Sequence, residues 1–212
     1  MLLDFQDLKN KYNLQINGVI HVGAHYGQEI KLYNENGIYD IICFEPVVDS
    51  FNILKNNCTD RCNAYNLALG NKNQKITINL ETNNQGQSSS ILDPEIHLTQ
   101  YPHIKFNSKA QVNMVRLDDF MEKYKNEQKN KNFNFINIDV QGYELEVFKG
   151  AVECLKNIDY IIAEVNKDFL YKNCALVNEI DDFLKQFNFE RKETNWAGNT
   201  WGDALYIKKI TC

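Results

Sequence analysis

No apolar run in these 212 residues approaches the roughly 20 needed to cross a bilayer, so a membrane-spanning helix is excluded. The opening stretch carries Asp4, Asp7, Lys9 and Lys11 where a secretory leader would carry an apolar core, and a cytoplasmic location is expected. Cysteine pairs with metal-knuckle spacing are missing too. Cys43, Cys58, Cys62, Cys154, Cys174 and Cys212 are scattered, and no second pair accompanies Cys58 and Cys62. That argues against structural zinc and predicts reduced thiols, with a Cys58–Cys62 redox pair as the alternative. Excess positive charge is also lacking: the formal net charge is −5, so no general grip on a phosphate backbone exists and nucleic acid is not an expected partner. Internal repeats and linkers are absent, and residues 1–212 read as a single α/β domain with a full core.

Two nucleotide signatures are missing as well, and their absence narrows the ligand. The run Val19-Ile20-His21-Val22-Gly23-Ala24-His25-Tyr26-Gly27-Gln28-Glu29 is a strand, a tight turn and a helix start. Gly23 lets the main chain turn and a ligand approach it, and the free N–H groups near Gly27 face whatever lies above the strand. A dinucleotide fingerprint needs a second glycine where this chain has His25. No Gly-Lys-Ser/Thr follows, so a phosphate-cradling loop is excluded. A nucleoside without phosphates fits the turn better, S-adenosylmethionine being the common one.

The remaining pattern alternates strands and helices. A short amphipathic helix is predicted over 3–12 and strands over 18–22, 41–44, 64–69, 133–138, 160–163, 189–192 and 204–207. Helices are expected from Gln28 to about Glu35, through Phe51 to Leu54, from Leu117, from Glu144 to Leu155 and from Leu176 to Phe187. The rhythm breaks between about Asn71 and Val115, where Ile76, Ile78 and Leu80 alternate with polar residues and a Ser/Asn/Gln stretch follows. This β-rich insertion after the third strand reads as a lid or acceptor-binding region. The layout is a seven-stranded, mostly parallel sheet with a reversed last strand.

Ligands of such sheets bind beyond the carboxyl ends of the strands. Three apolar strands end in acids: Glu45, Asp139 and Glu164. Glu45 lies about 20 residues past the glycine turn, the position that accepts both ribose hydroxyls; capping of the helix after Pro46 is the competing reading.

Taken together, Ile20–Glu29, Phe44-Glu45-Pro46, Asn66–Gly70, Ser88–Ser90, Val115–Asp119, Phe135–Gly150 and Ala204–Tyr206 resemble the FkbM family of S-adenosylmethionine-dependent methyltransferases. The most specific block is Ile138-Asp139-Val140-Gln141-Gly142-Tyr143-Glu144 and the residues to Gly150. The resemblance implies the Rossmann-like class I methyltransferase fold and O-methylation of a hydroxyl on a sugar, glycan precursor or related small molecule. It implies that Gly23, Ala24, His25, Gly27 and Gln28 line the methionine part of S-adenosylmethionine and Glu45, beside Pro46, holds the ribose. Asn66, Ala68 and Leu69 would border the adenine, Ser89 and Ser90 would close over it, and Asp139 would face the acceptor. The family usually has Asp in place of His21 and Asn in place of His25.

Methyl transfer from a sulfonium is accelerated mainly by alignment, but a sugar hydroxyl also needs a base within hydrogen-bond reach. Asp139, Glu164 and Glu144 are the candidates, with His97 and His103 of the insertion behind them. A divalent cation between Asp139 and Glu164 suits the oxygen ligands without being demanded by the spacing. S-adenosylhomocysteine would be the product, the acceptor a sugar, sugar nucleotide or glycan, and a homodimer is left open. Two alternatives stand beside this: a catalytically silent scaffold subunit, and an NAD-dependent sugar oxidoreductase, which His25 and Tyr26 in the glycine turn disfavour. Trp196 and Trp201, in a predicted loop between the last strands, offer flat faces to a sugar or simply pack the hairpin.

Overall fold

The structure is a computed structural model that describes residues 1–127 and 131–209. Its centre is a seven-stranded sheet of β1 (Gly18–Val22), β2 (Asp40–Phe44), β3 (Cys62–Tyr65), β7 (Phe135–Ile138), β8 (Tyr160–Asn166), β9 (Phe189–Ala197) and β10 (Trp201–Lys208). The spatial order is β3-β2-β1-β7-β8-β10-β9. All neighbours pair parallel up to β8; β10 then lies antiparallel to both β8 and β9 and is the one reversed strand of this sheet. The switch point falls between β1 and β7, where connections leave in opposite directions, and there the ends of the strands open a crevice.

Continuous apolar strands demand cover on both faces, and helices supply it. On one face α1 (Phe5–Lys11), α2 (Gln28–Glu35) and α3 (Val48–Asn57) bury Phe5, Leu8, Ile30, Tyr33 and Leu54 against β1 and β2. On the other, α5 (Leu117–Glu127), α6 (Glu144–Lys149), α7 (Val152–Leu155) and α8 (Val177–Lys185) bury Met121, Phe148, Leu155 and Ile180. The apolar stripe expected over Glu144–Leu155 is present, but it is broken into α6 and α7. Gly150 lies so close to Gly70 that a Cβ would stand 2.0 Å from its carbonyl oxygen, and the chain must kink to make that approach.

The expected third strand over 64–69 is also divided. Asn66 turns its side-chain amide back to donate to the carbonyls of Glu45 and Pro46, each at 2.9 Å. The chain leaves the main sheet there, and β4 (Ala68–Leu69) joins β5 (Gln74–Leu80) and β6 (Ser108–Val115) in a separate sheet of order β4-β6-β5. Ile78, Val112, Met114 and Ala68 form its core. Residues between β5 and β6, including α4 (His97–Gln100), arch over the crevice. The final hairpin is longer than expected and places both tryptophans in strands, Trp196 opposite Gly202 and Trp201 opposite Ala197. Cys58 and Cys62 correct the reduced-thiol reading. The turn between α3 and β3 brings their Cα atoms to 5.1 Å and joins them in a disulfide.

Candidate active site

A cavity of about 620 Å³ lies over the ends of β1, β2, β7 and β8, within the usual range of small-molecule sites, about 300–1,000 Å³. Its floor is two turns pressed together. Gly23 has φ +77°, and a Cβ there would stand 1.8 Å from the carbonyl oxygen of Asp139, so only glycine allows the contact. The neighbouring turn has its own left-handed residues, Gln141 at φ 55° and Gly142 at φ 95°.

At the β2 end Glu45 is 6% exposed and faces the cavity. One carboxylate oxygen accepts from the His25 N–H at 2.9 Å, the other from the Val47 N–H at 2.8 Å. Burial pushes its carboxyl up to about 7 against the pull of those donors. The contact with Val47 tethers the entry to α3, so the capping reading holds in part while the side chain remains on the cavity wall. Each oxygen keeps lone-pair capacity for a further donor.

His25 sits at φ 47°. The Gln28 amide donates to its Nδ1 at 2.9 Å, which fixes the proton on Nε2, and Nε2 donates to the Gln85 carbonyl at 2.8 Å. Tyr26 stacks on the imidazole and donates to the same carbonyl at 3.3 Å. The polar stretch 82–90 is thereby strapped to the glycine turn. Its other end is tied to the opposite wall, because Ser90 Oγ donates to the Gln141 carbonyl at 2.7 Å. His21 is buried in the strand end, and burial lowers its basicity. The Asn137 amide points at its Nε2 from 3.3 Å, which leaves Nδ1–H without a protein partner among the described residues.

At the β7–β8 end, the Gln141 side-chain amide donates to Asp139 at 2.7 Å and to Glu164 at 3.0 Å. Asp139 opens into the crevice while Glu164 is buried beside it. Burial raises both carboxyls; for Glu164, well above the ordinary range, the charge of Asp139 adds to it. Tyr171 lies with its hydroxyl 2.7 Å from the Gln141 amide oxygen and 2.9 Å from the Ser88 carbonyl. One oxygen each of Asp139, Glu144 and Glu164 falls within 4.8 Å of the others. The Gln141 amide bridges two of them.

Of the residues expected at the site, Gly23, Ala24, His25, Gln28, Glu45, Pro46, Ala68, Leu69, Ser89, Asp139 and Glu164 line the cavity. Four are corrected. Gly27 starts α2 behind the wall, where a Cβ would strike Ile30 and Leu54. Asn66 stands behind Glu45, its amide spent on backbone carbonyls. Ser90 is buried, with its hydroxyl on Gln141. Glu144 is 0% exposed and accepts from the N–H groups of Val140 and Gly142 at 3.0 and 3.2 Å, so it braces the turn and cannot reach an acceptor. Sequence reasoning missed Gln141, Tyr171 and Asp203. Gln141 stood inside the most specific block, but its bridging role needs Glu164 beside it, which only strand pairing supplies.

The model of the FkbM methyltransferase domain matches residues 21–191. The chain belongs to the FkbM methyltransferase family. A 2-O-methyltransferase, NoeI of Sinorhizobium fredii (strain NBRC 101917 / NGR234), is 26% identical over 178 residues, which are 80% of this chain and 71% of NoeI. Solved class I methyltransferases share the fold of this FkbM chain. TrmK of M. capricolum in complex with S-adenosylhomocysteine superposes with TM-score 0.51 at 10% identity, covering 98% of this chain and 70% of that one. Magnesium protoporphyrin IX methyltransferase of Synechocystis PCC 6803, solved with S-adenosylmethionine bound, gives 0.51 at 8% identity, covering 95% and 74%. The resemblance read from sequence, the seven-stranded sheet and the methyltransferase assignment are thus borne out.

Proposed function

We propose that this FkbM methyltransferase transfers a methyl group from S-adenosylmethionine to a hydroxyl of a sugar or related polyol. The observation that carries the reading is the paired carboxylate of Asp139 and Glu164 on one Gln141 amide, at the opposite end of the crevice from Glu45. The crevice fits the cofactor chemically. Glu45 has lone pairs for a ribose diol. The acidic wall suits a ligand that carries a sulfonium and an ammonium. Bound there, S-adenosylmethionine supplies an electrophilic methyl group.

The chain's own residues do the rest. Asp139 accepts the proton of the acceptor hydroxyl, and its raised basicity makes it a better base than an ordinary carboxylate. Burial and the charge of Asp139 both raise the Glu164 carboxyl, which favours the proton on the buried member of the pair. Gln141 fixes the geometry of both.

The test is calorimetry with S-adenosylhomocysteine followed by methyl-transfer assays on a panel of glycosides. Binding and transfer to a sugar hydroxyl are expected. A cavity that ignores S-adenosylhomocysteine, or binds it while Asp139→Ala and Glu164→Ala both leave turnover intact, overturns the reading.

A further inference from the structure

The acids of the cavity wall have no lysine or arginine to answer them among the described residues. They are Glu29, Glu45, Asp139, Glu164 and Asp203. The α-amino group of Met1 reaches the wall but lies 3.7 Å from a Glu29 carboxylate oxygen and is answered there. All four histidines also face the cavity, yet none supplies a buried cation. Burial holds His21 and His97 toward the neutral form. His25 spends both ring nitrogens on Gln28 and the Gln85 carbonyl. His103 stands exposed at the rim.

The acceptor end adds flat apolar faces to these carboxylates. Trp201 lines it and donates through its indole N–H to the Tyr101 hydroxyl at 2.9 Å, while His97 sits among Tyr101, Phe106 and Tyr171 with ring centroids 5.0 to 5.4 Å away. Carboxylates that accept from hydroxyls, with aromatic faces that take the C–H side of a ring, recognise an uncharged polyol. A diphosphate would find no lysine or arginine on the described wall, and would meet the carboxylates in a poorly screened crevice.

We infer that the acceptor is an uncharged sugar residue, already freed from its nucleotide carrier, and that sugar nucleotides are excluded. This rests on the sugar O-methylation proposed above. It places the reaction after a glycosyl transfer: the enzyme methylates a sugar that a transferase has already moved from its nucleoside diphosphate onto an acceptor.

The experiment compares the intact protein, with S-adenosylmethionine, on matched pairs: methyl glycosides and the corresponding nucleoside diphosphate sugars. The glycoside is expected to show kcat/KM at least about tenfold higher than its nucleotide-linked counterpart, equivalent to about 1.4 kcal/mol, with the gap narrowing as salt screens the wall. Equal or better turnover of the nucleotide sugars overturns the inference while the methylation reading survives. A gap indifferent to salt overturns its electrostatic basis. Transfer to no sugar at all, in protein shown by calorimetry to bind S-adenosylhomocysteine, overturns the sugar reading and this inference with it.

Discussion

Glu45 and Glu144 have nearly the same surroundings and opposite access. Each is a buried glutamate beside a tight turn at the end of a parallel strand, each accepts two backbone N–H groups, and burial pushes each up to about 7. Glu45 spreads its two donors over both oxygens and looks into the cavity. Glu144 takes both donors on one oxygen, while the other has no partner and no exposure. A shifted carboxyl is therefore no mark of chemistry by itself. Access separates them: one glutamate faces the cavity and the other braces a turn.

The comparison breaks most sharply at a third carboxylate. Asp139→Asn removes the proposed base and should lower kcat about 10²- to 10⁴-fold, while the Kd for S-adenosylhomocysteine, read by calorimetry, changes only a few-fold. A large loss of binding with kcat preserved would move Asp139 to the cofactor side. Glu45→Ala should then weaken S-adenosylhomocysteine about 10²-fold, the loss of roughly two charge-assisted hydrogen bonds at about 1.5 kcal/mol each. Glu144→Ala should do the reverse. It strands the Val140 and Gly142 donors at about 1–3 kcal/mol apiece and lowers Tm by several degrees, with cofactor affinity nearly unchanged in the folded fraction. If Glu144→Ala weakens binding as much as Glu45→Ala does, the two glutamates are not separated by access.

The smallest effect is a pH slope. Both glutamates have folded pKa values raised from 4.5 to about 7, so between those limits the folded protein holds more protons than the unfolded chain. Stability of the ligand-free protein should accordingly fall as pH rises through that window, by at most about 1.4 kcal/mol per unit for each group. Asp40, Glu190 and Glu193, whose carboxyls are lowered by ion pairs, act in the opposite sense but below it. Thermal melts at a series of pH values check the slope, and Glu144→Gln should flatten it. In turnover the sign reverses: kcat should rise with pH through the raised value of Asp139, because the ionised form is the active one.

Much of this arrangement was readable beforehand because strand ends are local. Val19–Gly23, Ile41–Glu45 and Phe135–Asp139 each show an apolar run stopped by a turn residue or an acid, and the parallel sheet aligns those stops by itself. What failed depended on contacts distant in sequence. The break after Tyr65 is made by Asn66 reaching Glu45, and the kink after Lys149 by Gly150 meeting Gly70. Ser90 reads as a cavity residue because its sequence neighbours line the cavity, but its hydroxyl answers a carbonyl 51 positions away. Glu144 could be read either way until the turn it braces was visible.

The contact between Gly23 and the Asp139 carbonyl has a practical corollary for redesign. It joins the turn after β1 to the turn after β7, so a bulkier residue at Gly23 would pry the two apart. The floor is consequently rigid to change. Changes of side chain are better tolerated in the ceiling, around Trp201 and Tyr101, where no backbone of the floor is in contact.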